Sequence, residues 1–258
     1  MSGLVGYNAV ITGGGRGIGA AAALALAEAG AKVSVASRNE AQVVQVAAQL
    51  RENGHEAFAF RCDVTDPHQV RDLAMSASEA MGRIDILVNN AGTATSNRIS
   101  RISHAEWQHI MDVNATGTFL CTQAVWNGMS ERRWGRVVNV ASTAGLSGGK
   151  YISAYTAAKH AVVGFTRAMA EEAVGSGITV NAVCPGYVDT PLTDETIARI
   201  MHHTGSSRED ALSSVLEQAG QPRLIRAGEV AQAIVGLCHV GAHAPNGELV
   251  LLDASEPE

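Results

Sequence analysis

NAVITGGGRGIGAAAALALAEAGAKVSVASR, residues 8–38, decides how this chain folds. A short apolar run at Asn8–Ile11 leads into Thr12-Gly13-Gly14-Gly15-Arg16-Gly17-Ile18-Gly19. An alanine-rich stretch of high helix propensity then carries the chain to a second apolar run at Lys32–Ala36. The order is strand, turn, helix, strand. Gly13, Gly15, Gly17 and Gly19 allow a tight turn and let a pyrophosphate approach the backbone, with partial positive charge from the helix N-terminus. A merely glycine-rich loop is the alternative. The strand–turn–helix context, about twenty residues before the end of a second strand, argues against it.

That second strand ends Ala36-Ser37-Arg38. An acidic residue here would accept the adenosine ribose hydroxyls of NAD. Ser37 is neutral, whereas Arg38 and Arg16 can pair a 2′-phosphate in bidentate fashion. The expected cofactor is therefore NADP(H); the alternative makes both arginines solvated loop charges.

Outward from this unit, apolar runs alternate with amphipathic helices almost to the end of the chain. Further strands are expected at Ala57–Arg61, Ile84–Val88, Arg136–Val140, Thr179–Val183 and Glu248–Leu252. Short strands apolar on both faces belong to a parallel sheet covered by helices. The expected fold is a Rossmann-type, doubly wound α/β domain with seven parallel strands, occupying residues 1–258. Asp66-Pro67 marks one helix start, and Ser103 with Glu106 a capping box at another. The alternation breaks between Thr190 and Pro222, where two short amphipathic helices follow a strand end. A substrate lid is the expectation there, against an ordinary packed hairpin.

Composition narrows the class. The chain is 46% hydrophobic and 17% charged, as a buried-sheet protein should be, and its net charge of −6 offers no basic face for nucleic acid. No segment is apolar enough to span a bilayer. Cys62, Cys121, Cys184 and Cys238 lack metal-ligand or redox spacing, which suits reduced core thiols in the cytoplasm. No metal site is expected, since adjacent His202 and His203 are poorly placed to share one.

Tyr155 and Lys159 stand one helical turn apart, thirteen and seventeen positions after Ser142. A phenol ordinarily ionises near pH 10. An ammonium about 4 Å away in a partly buried site favours the phenolate by about 4 kcal/mol, or roughly three pK units. That would bring the tyrosine into range for proton exchange at neutral pH. On its own the pair reads as easily as a packed tyrosine beside a solvated lysine.

Taken together, these residues resemble the short-chain dehydrogenase/reductase family over essentially the full chain. The matching motifs run in the family's order: TGGGRGIG at 12–19, CDVTD at 62–66, NNAG at 89–92, Asn114, Ser142, Tyr155 with Lys159, and Pro185-Gly186 leading to Thr190. The resemblance implies that Tyr155 is the general acid in carbonyl reduction and that Ser142 hydrogen-bonds the substrate oxygen. Lys159 would bind the nicotinamide ribose and lower the tyrosine pKa, and Asn114 would hold a water linking Lys159 to solvent. It further implies adenine contacts from Asp63 and Val64, and a cofactor cleft lined by Asn90, Ala91 and Gly92. Ile18, Pro185, Gly186, Val188 and Thr190 would surround the nicotinamide.

Family members usually form homotetramers, sometimes dimers, which would use Asn97–Gly128 and Tyr155–Gly175 here. The ending Leu251-Leu252-Asp253-Ala254-Ser255-Glu256 departs from the family's Asp-Gly-Gly turn and bears on that assembly. The runs SAYTAAKHAVVGFTRAMAEE and GITVNAVCPGYVDTPL are similar to bacterial ketoreductases of fatty-acid and polyketide metabolism. They imply NADPH-dependent reduction of a 3-oxoacyl thioester or polyketide-like ketone. The alternatives are a broad-specificity secondary-alcohol dehydrogenase or carbonyl reductase and, more remotely, a non-catalytic NADP(H) sensor.

Overall fold

Seven strands form in chain order: β1 (Asn8–Thr12), β2 (Lys32–Ser37), β3 (Ala57–Arg61), β4 (Ile86–Asn89), β5 (Gly135–Val140), β6 (Ile178–Pro185) and β7 (Leu249–Leu252). They are described in a computed structural model covering residues 3–241 and 244–254. All six pairings are parallel, and the spatial order is β3-β2-β1-β4-β5-β6-β7. The helices are α1 (Gly17–Glu28), α2 (Glu40–Glu52), α3 (Pro67–Met81), α4 (His104–Met111), α5 (Gly117–Arg132), α6 (Ser153–Glu172), α7 (Pro191–Thr204), α8 (Arg208–Ala219) and α9 (Ala227–Leu237).

Each sheet face has its own core. On one, Ala22 and Leu26 of α1, Val43 and Ala47 of α2, and Val230 and Ile234 of α9 pack on Ile11, Val33 and Val88. On the other, Val70 and Leu73 of α3, Cys121 and Met129 of α5, and Ala170 of α6 pack on Val10, Leu87 and Val137. Small side chains along α1 keep it close to the strands, which brings its N-terminus over the end of β1. Winding reverses between β1 and β4, so a crevice opens at the carboxyl ends of those strands.

Local differences from expectation have identifiable causes. β4 pairs from Ile86, not Ile84, because the buried Asp85 carboxylate accepts the Asn8 N–H at 3.0 Å and Arg83 Nε at 2.9 Å. β6 runs on to Pro185, where a strand end tolerates a residue without an N–H. Asp66 caps α3 as expected, accepting from His68 and Gln69. At α4 only the serine half of the capping box forms, Ser103 Oγ accepting the Glu106 N–H at 3.1 Å. A π-helical turn, Asp112–Thr116, then joins α4 to α5 and carries Asn114.

The two expected helices after β6 are α7 and α8, which bury Ile197, Ala211 and Val215. At the other end, Ala254 has φ +59, a left-handed conformation that glycine adopts at less cost. Ser255 and Glu256, named above, lie outside the described residues.

Candidate active site

The crevice is pinned by Thr12. Its hydroxyl accepts the N–H groups of Asn90 and Ala91, each at 3.1 Å, and donates to the Val88 carbonyl. Asn90 Nδ2 in turn donates to the carbonyls of Thr12 and Gly13, at 2.9 and 3.1 Å. The turn after β1 and the turn after β4 are thereby held edge to edge.

Between them lies a groove of about 420 Å³. Gly13, Gly15, Arg16, Gly17, Ile18, Ser37, Arg38, Asp63, Val64, Asn90, Ala91, Gly92 and Thr190 all line it. Gly19 does not: it packs beneath, where a Cβ would collide with the Gly13 carbonyl oxygen. Gly13 and Gly17 have φ +63 and +54, and a side chain at Gly13 would meet Asn90 Nδ2 at 2.8 Å. The cradle therefore exists only with glycine. The first turn of α1 holds no acidic residue and no side-chain cap, leaving its N–H groups open to an anion. These features fit a dinucleotide with its pyrophosphate at the helix start.

At the far end of the groove, Arg38 is exposed and has no hydrogen bond or ion pair among the described residues. Arg16 behaves differently from expectation. Its guanidinium pairs with Glu195 of α7 at 2.9 Å, both side chains being about half exposed. A 2′-phosphate would have Arg38 free and Arg16 only in competition with a carboxylate. Ser37 Oγ is turned to the Asn39 carbonyl at 3.0 Å. The Asp63 carboxylate accepts from Thr65 N–H and Oγ1 through one oxygen.

Ile18, Asn90, Gly92, Thr190 and Leu192 belong both to this groove and to an adjoining cavity of about 200 Å³. Ser142, Tyr155, Lys159, Asn114, Pro185, Gly186 and Val188 line that second cavity. Ser142 ends the turn after β5, and its Oγ accepts the Ala144 N–H at 3.1 Å, which leaves the hydroxyl proton free to donate. Lys159, 5% exposed, donates to the Val140 carbonyl at 2.8 Å. The Asn114 side chain bridges Thr93 and Ile110, its Nδ2 donating to both carbonyls at 2.9 Å. Gly92 leaves room beside these groups, since a Cβ there would sit 3.0 Å from Asn114 Oδ1 and 3.7 Å from Lys159 Nζ.

The electrostatics correct one expectation. Lys159 Nζ lies 5.7 Å from the centre of the Tyr155 ring and is drawn to Val140. Burial pushes the Tyr155 phenol up to about 12, with the Ser142 hydroxyl drawing it part of the way back. Burial likewise pulls Lys159 down to about 8. Among the chain's own groups desolvation dominates and Ser142 is what draws the phenol down, so the phenol keeps its proton at neutral pH.

Other residues at the site were not singled out from sequence. Gln221, 5% exposed, clamps the turn after β6: its Oε1 accepts the Tyr187 N–H and its Nε2 donates to the Tyr187 carbonyl, both at 2.8 Å. Tyr187, Ile152, Leu192 and Arg199 wall the second cavity. Their only sequence signal was position, past the carboxyl ends of strands. His160 and Trp134 have structural partners: His160 bonds back to the Thr156 carbonyl, and Trp134 stacks on Tyr7. Among the described residues no cluster of three or more His, Cys, Asp or Glu could hold a metal ion, and no helix is long and apolar enough to cross a membrane.

A family model for short chain dehydrogenases matches residues 7–200. The chain belongs to the short chain dehydrogenase family. A 3-oxoacyl-[acyl-carrier-protein] reductase of Synechocystis is 40% identical to this dehydrogenase, over 75% of this chain and 79% of that protein. The 3-oxoacyl-[acyl-carrier-protein] reductase FabG of Vibrio cholerae is 35% identical over 95% of each. The crystal structure of a single-substitution variant of actinorhodin polyketide ketoreductase with NADPH superposes with a TM-score of 0.91 at 34% identity, covering 97% of this chain and 98% of that one.

Two outcomes follow from the charges. Below about pH 8 Lys159 is protonated in both folded and unfolded chains. Between about 8 and its ordinary 10.5 the unfolded chain binds the extra proton, so this lysine adds stability as pH rises and withdraws it as pH falls. The stability difference between wild type and Lys159→Met, from denaturant titrations, is therefore expected to shift toward wild type across that window; a flat difference would contradict a depressed lysine. Exposed ion pairs contribute roughly 0.2–1 kcal/mol, so Glu195→Gln is expected to tighten NADPH by up to about fivefold in calorimetry while leaving NADH unchanged. Equal tightening of both would show that Arg16 does not discriminate the 2′-phosphate.

Proposed function

We propose that this dehydrogenase is an NADP(H)-dependent oxidoreductase interconverting a ketone and a secondary alcohol, working chiefly to reduce a 3-oxoacyl thioester or polyketide-like ketone to its 3-hydroxy product. The observation that carries the reading is the opening of Ser142, Tyr155 and Lys159 into one cavity continuous with the glycine-floored groove. The acyl-carrier-protein reductases and the NADPH-bound ketoreductase that it resembles support the same chemistry.

When bound, NADP(H) supplies or accepts the hydride at the carbonyl carbon. Reduction builds negative charge on the carbonyl oxygen, and Ser142, whose hydroxyl lies within hydrogen-bond reach of Tyr155, donates a hydrogen bond to it. Tyr155 transfers its proton to that oxygen; with its pKa raised by burial it is fully protonated beforehand, the state that reduction needs. Lys159 keeps two N–H donors after bonding Val140, one set for the phenolate that remains and the other for the cofactor ribose. Asn114, held by Thr93 and Ile110, lies on the route by which a proton returns through Lys159 from solvent.

The walls suit a short apolar chain next to the ketone, with Ile152, Tyr187 and Leu192 facing the cavity. We assign α7 and α8 as the lid of this single domain, since Leu192, Thr193 and Thr196 of α7 line the cavity directly. A homotetramer is part of the same reading: Phe119 of α5, 43% exposed, meets Phe165 of α6 edge-on at 6.3 Å on faces left open to a partner. Four free, buried cysteines accord with a reducing cytoplasm.

Steady-state rates with NADPH over acetoacetyl-CoA, its N-acetylcysteamine analogue and free ketones test the substrate class. Turnover of the thioesters is expected; good turnover of free ketones alone would move the assignment to a general carbonyl reductase. Tyr155→Phe should lower kcat by about 10²–10⁴-fold with NADPH affinity nearly intact, since only the proton donor is lost. A variant retaining wild-type kcat would remove Tyr155 from the mechanism.

A further inference from the structure

Besides its two histidines, α7 carries three ionisable side chains, and two of them are neutralised. Asp194 pairs with Arg208 at 2.6 Å, and Glu195 with Arg16 at 2.9 Å. The third is Arg199, which lines the substrate cavity. Among the described residues no carboxylate lies within ion-pair distance of it, and no Asp or Glu lines that cavity. The other cation on the wall is Lys159, already committed to Val140 and Tyr155.

Arg199 is nevertheless held in place, by neutral acceptors. Its Nη1 donates to the Ala94 carbonyl at 3.1 Å, its Nη2 to Thr196 Oγ1 at 3.2 Å and its Nε to the Glu195 carbonyl at 3.3 Å. A guanidinium has five N–H groups. Three are used here, which leaves one on each terminal nitrogen, two donors for the oxygens of a carboxylate or phosphate. The plane of the group is fixed before any ligand arrives, so little entropy is lost on binding.

We propose that Arg199 recognises an anionic oxygen group on the substrate and makes this dehydrogenase selective for ketones that carry one. The inference rests on the ketone-reducing reading above and deepens it. Two sources share the chemistry: a carboxylate on the ketone itself, or a phosphate of the pantetheine arm that carries a thioester. The cavity of about 200 Å³ is small, so the anion sits near the reacting carbonyl or at the mouth, beside the Ala94 loop. A cation facing a largely apolar pocket discriminates strongly, because a neutral ligand leaves it desolvated and unpaired.

The test compares wild type, Arg199→Ala and Arg199→Lys on two matched pairs with NADPH. One pair is acetoacetyl-CoA and the phosphate-free S-acetoacetyl-N-acetylcysteamine. The other is 5-oxohexanoate and its methyl ester. Arg199→Ala is expected to lower kcat/KM for the anionic member of one pair about tenfold more than for its neutral partner, mainly through KM. Arg199→Lys should recover part of that loss, and KM for NADPH should hold. Loss confined to the CoA pair assigns the phosphate; loss confined to the keto acid pair assigns the carboxylate. Equal losses on charged and neutral members, or none on either, overturn the proposal and leave Arg199 as a strap on the Ala94 loop. A wild-type enzyme that turns over no ketone overturns the underlying reading instead, a distinguishable result because the first failure leaves neutral ketones reduced.

Discussion

Everything at this site hangs on one hydroxyl. Thr12 closes β1 by accepting two backbone N–H groups from the turn after β4 and giving its own proton to Val88. A parallel sheet wound in both directions necessarily opens where the winding reverses. Left alone, the two strand ends there would expose buried N–H groups, each costing roughly 1–3 kcal/mol without a partner. The Thr12 hydroxyl satisfies two of them within the chain, Asn90 Nδ2 satisfies the facing carbonyls of Thr12 and Gly13, and together they set the spacing of the groove. The glycines then follow as a consequence: with the Asn90 side chain lying against Gly13, no Cβ fits. A hydrogen-bonding requirement of the sheet becomes the floor of a dinucleotide site.

The reacting end is governed by the opposite problem, charge held in a dry place. Tyr155 packs with Ile110 and Trp107 while Lys159, one turn on, is buried against Val140, and burial favours the neutral form of each. The phenol rises and the ammonium falls, so their ordinary gap in pKa is reversed. Packing alone thus keeps the proton on the phenol. A negative charge developing on a substrate oxygen, or a positive one on an oxidised nicotinamide, changes this balance where the chemistry happens. Ser142 and Val140 contribute by direction: one offers a proton into the cavity, the other fixes Nζ.

What the sequence disclosed and what it withheld divide along the range of the interactions. The glycine turn, the Tyr155–Lys159 spacing, the cap at Asp66 and the apolar strands are local patterns, each readable from neighbours along the chain. The order of strands follows from how parallel units must connect. The sign of the Tyr155 shift was not readable, because the Coulomb term needs only spacing while desolvation needs the whole fold around it. The β4 boundary failed for a similar reason, Asp85 being claimed by Asn8 and Arg83. Gln221 and Glu195 were invisible, since their partners Tyr187 and Arg16 lie far away along the chain.

Helix α7 gathers these distant effects into one element. Glu195 reaches the loop that opens α1, while Arg199, a turn later, reaches the Ala94 loop above the substrate cavity. The two charges face different ligands from the same rigid rod. A 2′-phosphate competing for Arg16 would release Glu195, and a released carboxylate one turn from Arg199 is an alternative partner for it. An anionic substrate on Arg199 prevents that pairing. One helix thus borders the cofactor groove through the partner of Glu195 and the substrate cavity through Arg199.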